Sequence, residues 1–394
     1  MSLNMEKKVG QIKKIKVLQF IHGLSMGGAE TIVKNYILKL DRTKFEPILL
    51  CYEITESPYM EILQNSGIQI INVCNKMPLY GRTGFWAKGI NKIMRYFLVK
   101  KYIRKLKPDI IHEHLLLNSY LKFAKPTKNT VIFHTQHFQV DRWLKDYYGD
   151  VQAAKWLMKH YPMRVIALNE TMKREVDTVF QIDNTIVLNN GIDMECFKCT
   201  REERTVRQEL GIPENAFVIG HVGRFSQVKN HVFLVDVFAE IVKKEPTAYL
   251  LMVGKGELLG DIEKKLSLLG LRERTKILSD RTDIPELMGA MDMFVFPSLS
   301  EGLGIVLVEA QILGLRCLVS DAVPQEVKFS NLLWYCSLNE KPVKWAEKIL
   351  GWEECRPLYS DCFDLWDINK VVRNLEKLYE GEVGNEKTKN NGSL

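Results

Sequence analysis

Nothing in this chain of 394 residues approaches the ~18 consecutive apolar residues of a membrane-spanning helix, so no helix is expected to cross a bilayer. Cysteine is scarce, eight residues in all. That excludes a disulfide-stapled scaffold and favours a reducing, cytoplasmic compartment. Residues Met1 to Gly10 are polar and lack the apolar segment of a secretory leader. No Asp-x-Asp pair occurs, and the lone Cys196-Phe197-Lys198-Cys199 has no second cysteine pair at zinc spacing, so no metal is expected. Acidic residues are missing from one long stretch. Between Glu61 and Asp109 there are none, against ten basic residues.

What is present is ordinary in total and uneven in place. With 46% hydrophobic and 26% charged residues, the composition excludes wholesale disorder. The 55 Lys+Arg and 48 Asp+Glu give a formal charge of +7. Residues 1–197 carry 29 basic and 18 acidic side chains, the remainder 26 and 30. Such asymmetry predicts that the first half meets an anionic surface. The basic residues concentrate in Phe85 to Lys107. There Ile90, Ile93, Met94, Phe97 and Leu98 share one helical face among Lys88, Lys92, Arg95, Lys100, Lys101, Arg104 and Lys105. Two readings stay open: a core-facing helix with a solvated basic face, or a surface that docks on anionic lipid with Phe85 and Trp86 inserted. No recognisable nucleic-acid module accompanies the charge, so no nucleic-acid partner is expected.

Short apolar runs alternate with helical periodicity. Strands are predicted at Ile15–Ile21, Pro47–Cys51, Ile68–Val73, Asp109–His112 and Val131–His134. A second series follows at Phe217–Val222, Ala248–Val253, Lys276–Leu278, Met293–Phe296 and Cys317–Val319. Strands separated by helical segments imply βαβ units and parallel sheets. The pattern restarts near Gly191, Gly211 and Pro213, so two doubly wound α/β domains are expected, residues 1–197 and 198–360. A helix over 361–380 and a disordered polar tail over 381–394 complete the plan. Ligands of such sheets bind at the strand carboxyl ends, here in a cleft between domains.

Three motifs fall at those ends. Gly23 to Glu30, with Gly27 and Gly28, links the first strand to a helix and reads either as a tight turn or as a phosphate-approach loop. It matches neither the dinucleotide fingerprint nor a P-loop. Gly223-Arg224 and Lys229 follow the strand Phe217–Val222 and suit a diphosphate or surface salt bridges alike. Glu301-Gly302-Leu303-Gly304-Ile305 leads into a helix carrying Glu309. The apolar surroundings of Glu309 predict a near-buried carboxylate, satisfied by sugar hydroxyls or by a nearby cation. His134 and His137, three apart at a strand end, do not make a metal site with any further cluster.

The two glutamates resemble the E-x7-E signature of the retaining glycosyltransferases of family 4, which have the GT-B fold. Gly27-Gly28-Ala29-Glu30, Pro108-Asp109-Ile110-Ile111-His112, Thr135-Gln136-His137, Asn190-Gly191-Ile192-Asp193 with Phe197, Gly223-Arg224 to Lys229, and Gly254-Lys255-Gly256 complete the family's order along nearly the whole chain. Members in capsular and exopolysaccharide biosynthesis are the most similar in feel, from Met26 to Thr31 and Val308 to Gln311. Departures are Arg316 where Pro is usual, Ser320 to Pro324 without the common double glycine, and Asn169 where many members have Ser.

The resemblance implies an acceptor-binding first domain and a nucleotide-sugar-binding second one. The 361–380 helix would pack back on the first domain. Arg224 and Lys229 would grip the donor diphosphate with the Gly27 and Gly28 amides, and Glu309 would hold the ribose hydroxyls. Glu301 and the Gly302, Leu303, Gly304 and Ile305 amides would orient the transferred sugar, with His137 above it. Gly223, Gly254 and Gly256 would line the donor site. Catalytic roles fall on His137, Arg224, Lys229 and Glu301. No cofactor is implied beyond the co-substrate, a UDP-sugar by preference. The expectation is a retaining, metal-independent transferase acting on a lipid-linked or oligosaccharide acceptor, cytoplasmic or at the inner face of the membrane. A nucleotide-sugar epimerase or hydrolase, and a non-catalytic nucleotide-sugar-binding subunit, are the alternatives.

Overall fold

A computed structural model describes residues 13–53, 56–82, 84–197, 199–352, 357–358 and 361–391. The polar start Met1–Gly10 lies outside them.

The first sheet has seven strands: β1 (Ile15–Ile21), β2 (Phe45–Cys51), β3 (Gln69–Asn72), β4 (Ile110–His114), β5 (Val131–Thr135), β6 (Met163–Ala167) and β7 (Ile186–Val187), ordered β3-β2-β1-β4-β5-β6-β7. The second has six: β8 (Val218–Val222), β9 (Tyr249–Val253), β10 (Thr275–Leu278), β11 (Met293–Phe296), β12 (Arg316–Ser320) and β13 (Leu333–Cys336), ordered β10-β9-β8-β11-β12-β13. All pairings are parallel, with Val17 opposite Ile110 and Met293 opposite Ile219. Helices cover both faces, so strands such as Val131–Thr135 are buried along their length and read as unbroken apolar runs. β6, β7 and β13 were not among the predicted strands; β7 has only two residues, too few to show a period.

Six helices matter for the site: α1 (Gly28–Lys39), α2 (Phe85–Leu106), α3 (Glu170–Phe180), α4 (His231–Lys244), α5 (Ile305–Ile312) and α6 (Ile368–Asn391). α4 shows how the chain chooses its faces. Leu234, Val235, Val237, Phe238 and Ile241 repeat at helical spacing, and all are buried. In each sheet the strand order reverses beside one central strand, between β1 and β4 and between β8 and β11. Those reversals open the crevices in which doubly wound sheets take ligands.

One open reading is narrowed and one expectation is corrected. The apolar stripe of α2 divides: Met94 and Leu98 pack against the first-domain core, while Phe85 and Trp86 are 85% and 81% exposed, and Ile90, Ile93 and Phe97 are exposed as well. The opposite face is held inward, because Asn91 Nδ2 donates to Leu79 O (2.8 Å) and Val99 and Ile103 enter the first-domain core. Over 381–391 the expected disordered tail is instead helical, as α6 continues to Asn391; residues 392–394 lie outside the described residues. Val383 is buried against the first domain, and Glu382 pairs with Arg164 (2.9 Å), so contacts persist past the glycine.

α6 follows the second domain in sequence yet packs on the first sheet. Ile368, Val371, Val372, Leu375 and Tyr379 are buried with Val17, Ile32, Phe45 and Ile110. Both strands of the interdomain crossing are laced together, Ile192 N donating to Trp366 O (2.6 Å) and Ile368 N to Ile192 O (3.0 Å). Gly191 is required here, since a Cβ would lie 2.6 Å from the Ile368 Cα.

Candidate active site

At the carboxyl end of β8 the chain turns through Gly223, Arg224 and Phe225. Gly254 and Gly256, in the loop after β9, lie directly beneath this turn: a Cβ on either would enter the backbone of Gly223 or Phe225. These two glycines therefore pack loop against loop. Arg224 reaches outward, 75% exposed, and meets Glu257 at 3.4 Å. Lys229 turns inward instead. The short turn that carries it is tied to the loop after β11 by Leu299 N donating to Val228 O (2.7 Å). Lys229 Nζ donates to Glu301 Oε1 (2.7 Å) and sits 4.6 Å above the Phe296 ring. The cation that could have satisfied either glutamate is thus found on Glu301.

Glu301 is followed by Gly302, which has no room for a side chain, because the His137 carbonyl and the Phe138 Cα from the other domain fill that space. Asn169 donates from Nδ2 to Gly302 O (3.3 Å) while its Oδ1 caps α3 through Met172 N (2.7 Å). One side chain thereby starts a helix of the first domain and holds the glutamate loop of the second. Leu303 is buried, and Gly304 takes φ +84° just before α5. No side chain caps that end of α5, which leaves its first amides available to an anion. Gly28 faces it across the cleft, with Ile305 Cγ2 3.4 Å from where a Cβ would be. Gly27, before α1, has no room for a side chain, because Glu30 Oε2 fills that space, and Glu30 accepts from Ser25 Oγ (2.8 Å). Among the described residues neither helix start carries a side-chain cap.

Glu309 lies in the second turn of α5, half-buried, with no side-chain hydrogen-bond partner among the described residues. Burial pushes its carboxyl up to about 7, and the Lys34 ammonium of α1 acts against that shift. Lys34 stacks over Tyr59 at 4.7 Å, and Tyr59 OH meets Thr31 Oγ1 at 2.9 Å. Sequence reasoning did not single out Lys34, since a lysine on an amphipathic helix carries no distinguishing signal.

His137 ends a buried hydrogen-bond chain that sequence patterns also missed. Its Nε2 meets His114 Nδ1 (2.9 Å), His114 Nε2 meets Gln19 Oε1 (2.8 Å), and Gln19 Nε2 donates to Tyr379 OH (3.2 Å). Tyr379 OH then meets His112 Nδ1 (2.6 Å), and His112 Nε2 meets Thr135 Oγ1 (2.6 Å). Burial holds all three histidines well below the ordinary value, His137 at about 3, so they are neutral. The Gln19 amide then sets every proton. Its NH₂ can only donate, so the Tyr379 proton goes to His112; its oxygen can only accept, so His114 carries hydrogen on Nε2. His114 Nδ1 must accept, His137 carries hydrogen on Nε2, and His137 Nδ1 is left as a free acceptor. His134, by contrast, is fully buried and paired with Glu113, a structural role. Cys196 and Cys199 are free and exposed at the crossing. Among the described residues no cluster of three or more His, Cys, Asp or Glu has metal-binding geometry.

Comparison with known proteins agrees with this layout. Residues 26–195 match the model for Glycosyltransferase Family 4, and residues 202–362 the model for Glycosyl transferases group 1. EpsF of Bacillus subtilis (strain 168), named as a glycosyltransferase, is 29% identical over 85% of this chain and 86% of its own. The UDP-Gal:alpha-D-GlcNAc-diphosphoundecaprenol alpha-1,3-galactosyltransferase of Escherichia coli is 26% identical over 78% of this chain and 80% of its own. The crystal structure of Anabaena Alr3699/HepE in complex with UDP and glucose superposes with TM-score 0.70 at 20% identity, over 96% of this chain and all of that one. With each sheet carrying its own half of the match and the glutamate loop of one meeting the histidine loop of the other, the chain belongs to the family 4, group 1 glycosyltransferases of GT-B fold.

Proposed function

We propose that the protein moves a sugar from a nucleotide-diphosphate sugar, uridine-based by preference, to a lipid-linked glycan acceptor in surface polysaccharide synthesis, with retention and without a metal. The observation that carries this reading is the Lys229–Glu301 pair set beside the uncapped start of α5, under the glycine loop of the opposite domain. An ammonium and open helix amides at one point suit a diphosphate leaving group, whose charge grows as the glycosidic bond breaks. Arg224 is free enough to swing onto the same group, Glu309 offers two oxygens to ribose hydroxyls, and His137 Nδ1 offers an acceptor to a sugar hydroxyl. Glu301 is engaged by Lys229, which favours attack from the leaving-group face over a covalent glycosyl-enzyme. In that step the acceptor oxygen bonds to the anomeric carbon as the bond to the diphosphate breaks, and the acceptor proton passes to the departing phosphate oxygen. The UDP and glucose held by the Anabaena protein, and the diphosphoundecaprenol-linked substrate in the Escherichia coli enzyme's name, support the donor and acceptor classes. Product NMR after reaction with an α-linked UDP-sugar and EDTA is expected to show an α-linked product; a β-linked product overturns retention.

The exposed face of α2 supports the lipid location. Trp86, Ile90, Ile93 and Phe97 form a stripe at helical spacing, flanked by Lys88, Lys92, Lys101, Arg104 and Lys105. No helix among the described residues is long and apolar enough to cross a membrane. Sedimentation with anionic liposomes at low salt is expected, with release at high salt as screening shortens the attraction. Replacing Trp86 and Phe97 together by Ser should lower the bound fraction; binding that is unchanged counts against this face.

A further inference from the structure

The inner side of α2 carries an arginine that the site described so far does not use. Arg95 lies two residues, about half a turn, from the exposed Ile93 and Phe97 and so points the other way, toward residues that follow the first-sheet strands. Its guanidinium stacks 5.2 Å from the Tyr52 ring, just past β2, and lies close enough to the Tyr120 phenol to hold its pKa down against burial. Tyr52 packs against Tyr120 (5.1 Å) and edge-on against His22 (5.1 Å), which is the first residue after β1. Arg95 Nε is buried and has no hydrogen-bond partner among the described residues. No carboxylate lies within ion-pair distance of Arg95 among the described residues, although Glu53 follows Tyr52 on the same strand end. Arginine with a purely structural task is ordinarily paired when this much of it is covered, since five fixed donors seek acceptors. Here the neighbours are the Tyr52 and Tyr120 phenols, the His22 imidazole and the Cys74 thiol, and between Glu61 and Asp109 the chain contains no acid at all.

We propose that Arg95, with His22, Tyr52 and Tyr120, forms a binding site for the phosphate or diphosphate of a lipid-borne acceptor. The site lies at the carboxyl ends of β1 and β2, on the cleft side of the first sheet, while the apolar stripe of the same helix faces outward. A lipid seated along that stripe brings its anionic headgroup over the edge of α2 to the guanidinium. The planar fork matches two phosphate oxygens, the aromatic rings exclude water around them, and the Tyr120 hydroxyl keeps the fork oriented. The inference rests on the lipid-linked acceptor of the proposed function and names the group by which such an acceptor would be recognised. It is independent of the donor side, where Lys229 and the start of α5 serve a different diphosphate.

The test uses the full chain, with UDP at saturation so that the donor side is occupied. Farnesyl diphosphate, farnesol and inorganic diphosphate are titrated by calorimetry into wild type, Arg95→Gln and Arg95→Lys. Farnesyl diphosphate is expected to bind wild type more tightly than either other probe, and Arg95→Gln to weaken it by roughly tenfold or more. Arg95→Lys, which keeps charge and loses the fork, is expected to fall between. The UDP dissociation constant should be the same in all three proteins, which also reports that the variants fold. An unchanged farnesyl diphosphate affinity in Arg95→Gln overturns the site. Farnesol binding as well as farnesyl diphosphate overturns the anion, and inorganic diphosphate binding equally well overturns the lipid. Loss of UDP binding in wild type would instead sink the donor assignment and leave the Arg95 comparison readable.

Discussion

Lys229→Ala is expected to lower kcat by roughly 10²–10³-fold while the protein stays folded, as removal of one preorganised group on developing charge does elsewhere. The size follows from where the ammonium is. It is four-fifths covered, braced by the Phe296 ring and by a turn tied to the glutamate loop, so its position costs no rearrangement during reaction. In wild type Lys229 already holds Glu301; a donor diphosphate would share that ammonium rather than recruit a mobile one. The deletion also leaves Glu301 without its cation, so some loss of thermal stability accompanies the kinetic loss. Circular dichroism separates the two. A folded variant with undiminished kcat removes Lys229 from the reaction. Arg224→Ala should cost less, because a side chain three-quarters exposed must be ordered before it helps.

Donor affinity is expected to fall as pH drops below about 7, and Glu309→Gln is expected to abolish that dependence. The sign follows from the raised carboxyl of Glu309, which stands at about 7 in the free protein. Ribose hydroxyls are best held by the ionised form, so below that pH a proton must leave before the donor binds. Each pH unit under the folded value then weakens binding by up to about tenfold. At pH 8 the carboxylate is already formed, and there Glu309→Gln should weaken binding by about 1.5–3 kcal/mol, the range for hydrogen bonds to a charged group. Calorimetric titration of UDP-glucose between pH 5.5 and 8 checks both arms; UDP-glucose has no phosphate group titrating in that range, so the protein supplies the proton. The same shift has a consequence for the unliganded fold. Because the folded value exceeds the unfolded one, stability is greatest at low pH on this account and declines as pH rises through 4.5 to 7. A pH-independent affinity in wild type removes Glu309 from the donor site.

Much of this architecture is legible in the sequence. Strands such as Ile15–Ile21 and Met293–Phe296 are buried on both faces, so they appear as apolar runs whatever their neighbours are. The glycine loop, Arg224, Lys229, Glu301 and Glu309 stand out as candidates because strand ends and helix starts leave a local mark. α2 stayed open for the complementary reason. Its apolar residues share a face, but periodicity cannot say how much of it is covered; packing takes in Met94 and Leu98 with Asn91, Val99 and Ile103 and leaves Ile90, Ile93 and Phe97 outside. Gly381 misled, because Gly381 and Gly384 each weaken a helix by only about 1 kcal/mol relative to alanine, and the Arg164–Glu382 pair and buried Val383 oppose that loss.

The sequence alone determined the two-sheet plan, the order of the motifs and the excess of positive charge in the first half, because each depends on residues near one another along the chain. Only the tertiary structure decided which glutamate Lys229 takes, and that, among the described residues, Glu309 has no hydrogen-bond partner and Arg95 faces inward without an acid. It also joined His137 to Tyr379, 242 positions apart, through His114 and Gln19. These are contacts between elements brought together by packing, and no local pattern of residues specifies them.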